Sequence, residues 1–338
     1  MSESRNIETG WDKRPASDRN TIVMHATHEK TPRVSIALPV YNGADFLAET
    51  LDSLLGQTFV DFELIICDNA STDDTEAICR RYASADRRVF YRRNARNIGA
   101  APNFNLAVSL ARGEYFKWAA HDDICHPCYL ERCVAELDRH PDAVLVYPKA
   151  QVIDSEARPL EIFSEDLPIG EMDPFVRFKA LTRGHRCYQV FGLHRLSVLR
   201  TTPLIGLYAR GDEILLCWLA LRGHFIRIDD TLFYPRRHNS QSMAMLGDPA
   251  RNRSANFLAY STWFDPRWRQ RMIFPWWRSL KELVLCVTHS PISMVTRYRC
   301  LKHLLKWAYW HRRALSGDLI LQARRIRARN LGAVHDTL

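Results

Sequence analysis

The sequence lacks the features that mark a membrane-spanning or secreted protein. No hydrophobic run approaches the roughly 20 apolar residues that a transmembrane helix needs. The best candidate, Leu283–Val295, is interrupted by His289, Ser290 and Pro291. The amino-terminal segment is polar and has no apolar stretch of the signal-peptide kind. We therefore expect a cytoplasmic protein, with peripheral contact at the inner face of the membrane as the alternative to a purely soluble location.

A disulfide framework and a zinc finger are both disfavoured. The nine cysteines are odd in number and scattered, which is typical of reduced thiols. Cys125-His126-Pro127-Cys128 invites a zinc interpretation, but no second Cys/His pair follows at finger-like spacing. Internal repeats and low-complexity tracts are also missing. With 338 residues, 46% hydrophobic and 25% charged, the chain is typical of a globular protein of one or two domains.

The net charge of +9 is unevenly distributed. From Arg267 to the end, fifteen Lys and Arg residues face three acidic ones, so the remainder sums to −3. The same region contains Trp276, Trp277, Trp307, Tyr309 and Trp310. Aromatic side chains among cations suit an anionic membrane surface, but equally a helical subdomain that packs its aromatics inward. We expect no nucleic-acid partner, because no recognised nucleic-acid motif is present.

Strand and helix patterns alternate from Arg33 to about Val152, which predicts an α/β fold with a mainly parallel sheet flanked by helices. The predicted strands are Val34–Leu38, Glu63–Cys67, Val89–Arg92, Glu114–Trp118, Ala143–Tyr147, Tyr188–Phe191 and Phe225–Phe233. The predicted helices are Ala44–Leu55, one from Asp73 with a capping box to Glu76, Ala101–Ala111, Pro127–Arg139, Pro174–Thr182 and Ile214–Leu221. We divide the chain into a flexible leader (1–31), a catalytic domain (32–240) and a basic, aromatic-rich helical region (241–338).

Polar side chains follow the predicted strands at the edge where open α/β sheets bind ligands. Pro39, Val40, Tyr41 and Asn42 end the first strand, and Asp68 ends the second. Asn97, with Asn103 further along the next helix, places two amides near the same edge. Each group alone has a local alternative as a turn or helix cap. Their convergence on one edge favours a binding site for a phosphorylated ligand.

His121-Asp122-Asp123 follows another apolar strand. Two adjacent carboxylates repel each other, and Mg²⁺ or Mn²⁺ would offset that cost; the alternative is an acidic turn that caps the next helix. Arg236-Arg237-His238 could supply cations for a diphosphate and an imidazole for the metal, or be a solvated basic loop. Gly211-Asp212-Glu213 offers a general base at a helix start, unless Asp212 is only the N-cap.

These motifs resemble those of family 2 glycosyltransferases, the inverting, nucleotide-sugar-dependent enzymes with a GT-A fold. The resemblance runs from about Val34 to His238. It rests on Val34-Ser-Ile-Ala-Leu-Pro-Val-Tyr-Asn42, Ser53-Leu-Leu-Gly-Gln57, Asp68-Asn-Ala-Ser-Thr-Asp73, Asn97-Ile-Gly99, Gly113-Glu-Tyr115, His121-Asp-Asp123 and Gly211-Asp-Glu213. It implies that the Pro39–Asn42 loop and Asp68 hold the nucleoside, that Asp212 is the base, and that His238 closes the donor site.

The sequence departs from the family pattern at two positions. Asn69 stands where many relatives have Asp, and His121 where an acid is frequent. The second departure leaves Asp123 as the main metal ligand, together with His238, and Asp122 as a contact to the ribose or diphosphate. The remaining expected donor contacts are Asn97, Asn103 and Arg237.

The expected reaction is sugar transfer from a metal-bound nucleotide-diphosphate sugar to a saccharide or lipid-linked acceptor, in cell-envelope polysaccharide or glycolipid synthesis. A sugar nucleotidyltransferase is the enzymatic alternative. It would need a Gly-rich, basic loop after the first strand, and Pro39–Asp45 has neither Lys nor Arg. A non-catalytic nucleotide-sugar-binding scaffold is the other alternative, and the presence of Asp122, Asp123 and Asp212 together argues against it.

Overall fold

The structure, a computed structural model, describes residues 22–23, 31–163, 167–184, 186–241, 253–267, 274–320 and 322–323 of the 338. Most of the predicted leader, residues 1–31, lies outside the described residues. Within it, Ile22 and Val23 form a short strand that pairs antiparallel with Arg92 and Tyr91. This pair of residues is therefore part of the sheet.

Ten strands and ten α-helices make up the described part of the chain. The strands are β1 Ile22–Val23, β2 Val34–Val40, β3 Phe62–Asp68, β4 Val89–Arg93, β5 Tyr115–Trp118, β6 Ile124–Cys125, β7 Ala143–Ile153, β8 Pro159–Phe163, β9 Leu193–Arg195 and β10 His224–Tyr234. The helices are α1 Ala44–Leu55, α2 Thr75–Ala85, α3 Ala100–Leu110, α4 Tyr129–Arg139, α5 Pro174–Leu181, α6 Leu196–Leu199, α7 Gly211–Ala220, α8 Arg253–Phe264, α9 Pro275–His289 and α10 Met294–Trp310.

The strands form one sheet in the order β1-β4-β3-β2-β5-β9-β7-β10-β6, with β8 paired to β7. β4, β3, β2 and β5 run parallel, as do β7 and β10, whereas β9 pairs antiparallel with both β5 and β7. The sheet is therefore parallel through its first half and mixed through its second. The carboxyl ends of β2, β3, β4 and β5 meet at one edge, as predicted.

Both faces of the sheet are buried, which explains the nearly continuous apolar runs of its strands. In β2, the side chains of Val34, Ile36, Leu38 and Val40 pack on the face covered by α1, α2 and α4. Ala37 belongs to the opposite core, to which α3, α5, α7, α9 and α10 contribute. The period of two along the strand thus divides the interior into two cores.

Two local predictions are wrong. Tyr188–Phe191 is a 3-10 helix, held by hydrogen bonds from Val190 N–H to Cys187 O and from Gly192 N–H to Gln189 O. A short apolar run does not by itself distinguish strand from helix. The capping box fails because α2 begins at Thr75, and Glu76 pairs instead with Arg80 and Arg93.

The basic carboxy-terminal region packs against the sheet domain through three helices, with Tyr260 and Phe264 of α8 in the core. α9 contributes Leu283, Cys286 and Val287 to the core, and α10 contributes Cys300, Leu304 and Trp307. The Trp307 indole donates a hydrogen bond to Thr182 O (3.0 Å), just after α5. In the described ranges, none of the helices combines the length and apolar character that crossing a membrane requires.

Candidate active site

The His121-Asp122-Asp123 segment lies between β5 and β6 and packs against the start of α1. Thr50 in α1 donates a hydrogen bond to His121 O (2.9 Å). A Cβ atom at Gly43 would lie 2.5 Å from His121 Cδ2, so only glycine permits this approach at the entrance to α1. The segment is therefore fixed by α1 as well as by its own strands.

Asp122 and His238 are brought together, although they are far apart in the sequence. His238 Nε2 lies 2.9 Å from Asp122 Oδ2, and His238 Nδ1 lies 2.8 Å from the Ser240 hydroxyl. Burial opposes ionisation of Asp122, but the hydrogen bond from His238 and the nearby imidazoles hold its pKa below the ordinary value. The phenyl ring of Phe46 lies 4.8 Å from the His238 ring and fixes its position.

Asp123 is a buried carboxylate with incomplete compensation. Its Oδ1 accepts a hydrogen bond from Arg236 N–H (2.9 Å). Within the described ranges its Oδ2 accepts none. Burial, with the adjacent charge of Asp122, raises the pKa of Asp123 well above its ordinary value. Such a group gains from a cation placed against its second oxygen.

A carboxylate of this kind fits a divalent cation that takes its other ligands from a bound phosphate. Among the residues that the structure describes, no group of three or more His, Cys, Asp or Glu side chains is arranged as a metal site by itself. This speaks against a zinc site at Cys125–Cys128. Mg²⁺ is commonly held by one or two carboxylates plus the phosphates of a substrate. A cation there would be held by an Asp123 oxygen, and His238 could join it only by giving up its contact with Asp122 or with Ser240.

Arg236, predicted from the sequence only as a possible cation for a diphosphate, holds this acidic segment in place. Its side chain is only 1% exposed. The guanidinium donates to Asp122 O (2.9 Å) and pairs with Glu49 in α1 (2.5 Å). It also donates to the carbonyls of Asp154 and Ser155 and lies over the Phe46 ring. Arg236 therefore ties β7, β10 and α1 to the aspartate pair.

Arg237, the predicted donor contact, is the more exposed of the two arginines. Its guanidinium pairs with Glu161 at 2.6 Å. Because both residues follow β10 directly, a sequence of two arginines gives no sign of which one turns inward. In the structure the Arg236 side chain is buried, and the Arg237 side chain lies at the surface in an ion pair with Glu161.

The Pro39–Asn42 loop is attached to the turn after β3. Asn42 adopts a positive φ of 50°, which asparagine tolerates better than most residues. Its backbone N–H donates to the Ser71 hydroxyl, and its side-chain oxygen accepts from Thr72 N–H. Pro39 and Val40 are buried in β2, whereas Tyr41 is 43% exposed. Tyr41 is thus the member of this loop whose ring is open to the solvent.

Asp68 is fully buried and is engaged by protein groups. Its Oδ1 accepts from Ser71 N–H (2.9 Å), and its Oδ2 accepts from the Tyr91 hydroxyl (2.8 Å). Arg93 Nε also lies 3.2 Å from Oδ2. Asp68 therefore organises the turn after β3, which was the local alternative for this residue. A contact to the nucleoside stays a prediction.

The amides predicted near this edge form a network of asparagines. Asn69 donates to Asn97 Oδ1 (2.9 Å), and Asn94 donates to Asn103 Oδ1 (2.9 Å) and to Asn69 Oδ1 (3.2 Å). Asn103, which is buried, donates to Cys67 O (2.7 Å). The network joins the ends of β3 and β4 to the start of α3. Asn97 and Asn103 thus stabilise the backbone at this edge of the sheet. Asn97 is exposed, whereas Asn103 is buried.

Asp212 is the second residue of α7 and not its N-cap. The N-cap is Arg210, and Asp212 Oδ1 accepts from Glu213 N–H (3.0 Å). Burial raises the pKa of the Cys187 thiol, and the negative charge of Asp212 raises it further. Burial also raises the pKa of the Tyr188 phenol, and the charge of Asp123 adds to that effect. Because Cys187 and Tyr188 are consecutive residues, Asp212 and Asp123 act on the same short segment at the start of the 3-10 helix.

Comparison with known proteins points to one family. Residues 35–194, slightly less than half of the chain, match the model of glycosyl transferase family 2. This part of the chain is therefore similar to that family. An uncharacterized glycosyltransferase from Rickettsia typhi is 34% identical over 137 residues, 40% of this chain and 42% of that protein. Chondroitin synthase from Escherichia coli is 37% identical over 132 residues, 39% of this chain and 19% of that enzyme. The chain thus spans less than half of either relative.

Among solved structures, S. aureus TarS residues 1–349 in complex with UDP-GlcNAc is similar, with a TM-score of 0.59. The match covers 82% of this chain and 72% of that one, at 18% sequence identity. This similarity confirms the GT-A fold predicted from the sequence. The described chain therefore has the predicted architecture of a central sheet flanked by helices, with a mixed second half.

Proposed function

We propose that this family 2 glycosyltransferase transfers a sugar, with inversion, from a nucleotide-diphosphate sugar to an acceptor hydroxyl. The acceptor oxygen attacks the anomeric carbon and the bond from that carbon to the diphosphate oxygen breaks. The nucleoside diphosphate leaves with the electron pair, and the hydroxyl proton passes to Asp212. The observation that carries this proposal is the buried, incompletely compensated Asp123 beside the Asp122–His238 pair. One displacement with one base inverts the anomeric centre.

The proposed site has two charged regions, one that binds the donor and one that accepts the proton from the acceptor. On the donor side, Asp122, Asp123 and His238 face the diphosphate, and Arg236 keeps the aspartates in place. Mg²⁺ or Mn²⁺ bound there would supply the positive charge that stabilises the departing diphosphate. On the acceptor side, Asp212 at the start of α7 receives the proton.

The first prediction concerns the donor. Incubating the protein with UDP-, GDP- and dTDP-sugars, divalent metal and a saccharide or lipid-linked acceptor should release the nucleoside diphosphate of one donor. Measuring nucleotide release across this panel identifies the base and the sugar. Consumption of a nucleoside triphosphate together with a sugar phosphate would instead indicate a nucleotidyltransferase. If a donor binds but no nucleoside diphosphate is released with any acceptor, the scaffold alternative would be favoured.

We also propose that the outer face of α10 contacts an anionic membrane, where a lipid-linked acceptor would lie. Met294, Tyr298, Leu305 and Tyr309 form one stripe along the helix, opposite the packed Trp307, and all are exposed. Lys302, Lys306, Arg312 and Arg313 flank or continue this stripe. The sequence contains no Asp or Glu from Leu283 to Gly317. Exposed apolar side chains flanked by cations suit the headgroup region of anionic lipids.

The aromatic residues of the basic region divide between the protein interior and its surface. Trp307 is buried, and Trp276 packs against it with ring centroids 6.0 Å apart. These two residues therefore follow the packing alternative. Tyr309 and Trp310 are exposed and remain available to a membrane.

The second prediction is that the protein co-sediments with vesicles containing phosphatidylserine, less so at high salt. Leu305→Glu should abolish most of this binding, and Lys302→Gln with Lys306→Gln should weaken it by about 1 kcal/mol per cation. The matched control is Val60→Glu, an exposed apolar residue remote from α10 in the sequence. Equal recovery of all variants in the supernatant would contradict the membrane contact, and dimer formation abolished by Leu305→Glu would assign the stripe to a second copy.

A further inference from the structure

The loop that precedes Asp212 is folded tightly onto itself. Gly211 N–H donates to Tyr208 O (3.1 Å), and a Cβ atom at Gly211 would lie 2.4 Å from Gly206 O. Arg210, the residue just before α7, adopts a positive φ of 71°. A non-glycine residue in this conformation persists where its surroundings hold it. The backbone of residues 206–211, which we call the base loop, therefore sets where Asp212 lies.

The first turn of α9 contacts the base loop through two cation–π interactions. The guanidinium of Arg210 lies over the ring of Trp276, 4.9 Å from its centroid. In the reverse sense, the guanidinium of Arg278 lies over the ring of Tyr208 at 5.0 Å. Burial raises the pKa of the Tyr208 phenol well above its ordinary value, and cation–π contacts strengthen where water is excluded.

Both members of α9 are themselves fixed by the carboxy-terminal helices. The Trp276 ring stacks on His311 at 5.0 Å, and its backbone N–H donates to the buried carboxylate of Asp318 (2.7 Å). Asp318 thereby satisfies an N–H group at the start of α9. Arg278 pairs with Glu282 one turn further along (2.8 Å). A continuous set of contacts thus runs from beyond α10 to Arg210, two residues before Asp212.

We infer that the carboxy-terminal helices are a positioning element for the catalytic base, with Trp276 and Arg278 holding the base loop and thereby Asp212. This inference rests on the proposed role of Asp212. Proton transfer requires the base within hydrogen-bond reach of the acceptor hydroxyl, and a displacement of about 1 Å can cost about 100-fold in rate. Region 241–338 is therefore needed for chemistry beyond any membrane contact.

The test compares two adjacent tryptophans. Trp276→Leu should lower kcat about 10- to 100-fold, with the Kd for UDP or GDP, whichever the donor screen selects, within about 2-fold of wild type. Trp277→Leu is the matched control, because Trp277 is half-exposed and its indole donates to Leu315 O instead of contacting the base loop. Its kcat should equal that of wild type. Trp276→Phe, which keeps a ring beneath Arg210, should recover most of the lost rate.

A second variant covers the case in which Trp276→Leu fails to fold. Arg278→Gln removes the cation over Tyr208 at a partly exposed position and should lower kcat in the same direction, without changing nucleotide affinity. Equal losses in Trp276→Leu and Trp277→Leu, or wild-type kcat in both Trp276→Leu and Arg278→Gln, would overturn the inference. If these variants keep full activity while Asp212→Asn is inactive, the base assignment stands and only the positioning role is lost. Full activity of Asp212→Asn would overturn both.

Discussion

Asp212→Asn should lower kcat about 100-fold or more, because asparagine cannot accept the proton of the acceptor hydroxyl. The affinity for the nucleoside diphosphate should change little, since the proposed donor contacts are Asp122, Asp123 and His238. Steady-state kinetics with nucleotide release, together with calorimetric titration of the nucleoside diphosphate, measures both quantities. The fold should survive, because Asn Oδ1 can still accept the hydrogen bond from Glu213 N–H.

Glu213→Gln is the matched control for this variant. It changes the adjacent carboxylate, which pairs with Arg210 and is directed toward the base loop. A role confined to helix stability predicts similar, small effects on the unfolding temperature for both variants and an unchanged kcat for Asp212→Asn. A catalytic base predicts a loss of kcat for Asp212→Asn that clearly exceeds any loss for Glu213→Gln, whose ion pair with Arg210 belongs to the base loop.

The sequence predicts the parallel half of the sheet well because each element there follows a local rule. The helix Ala44–Leu55 agrees with the prediction at both ends, since its apolar face repeats with the helical period and Gly56 ends it. The second half was harder to predict. β9 has only three residues and is stabilised by antiparallel pairing with both β5 and β7, a contact between segments distant in sequence.

The same distinction separates the residues that stand out in the sequence from those whose importance depends on the fold. Asp122 and Asp123 stand out because two adjacent carboxylates at a strand end repel each other, and His238 because it ends a short basic segment after the last strand. Arg236 was predicted only as a possible cation for a diphosphate, because its burial and its contacts to three other elements are not contained in a local pattern. Trp276 was noticed only as part of an aromatic composition. Its contact to Arg210 depends on how α9 packs against α7.

Asp123→Asn should reduce metal-dependent turnover about 100-fold or more, a loss at least as large as that from removing a group that orients a metal ligand. The same substitution should leave the unfolding temperature of the metal-free protein unchanged or raised. Asparagine retains the acceptor for Arg236 N–H and removes a charge whose burial is incompletely compensated. A residue that costs stability while serving a site is expected where function requires a charge.

The measurement that decides this prediction is thermal unfolding with and without Mn²⁺ and the nucleoside diphosphate. Wild type should gain stability from the two ligands together, because ligands that bind only the folded state stabilise it, and Asp123→Asn should lose that gain. Asp229→Asn, at an exposed carboxylate on β10, is the matched control and should behave as wild type. Wild-type turnover in excess chelator, together with an unfolding temperature that Mn²⁺ does not change, would show that Asp123 serves the donor without a metal.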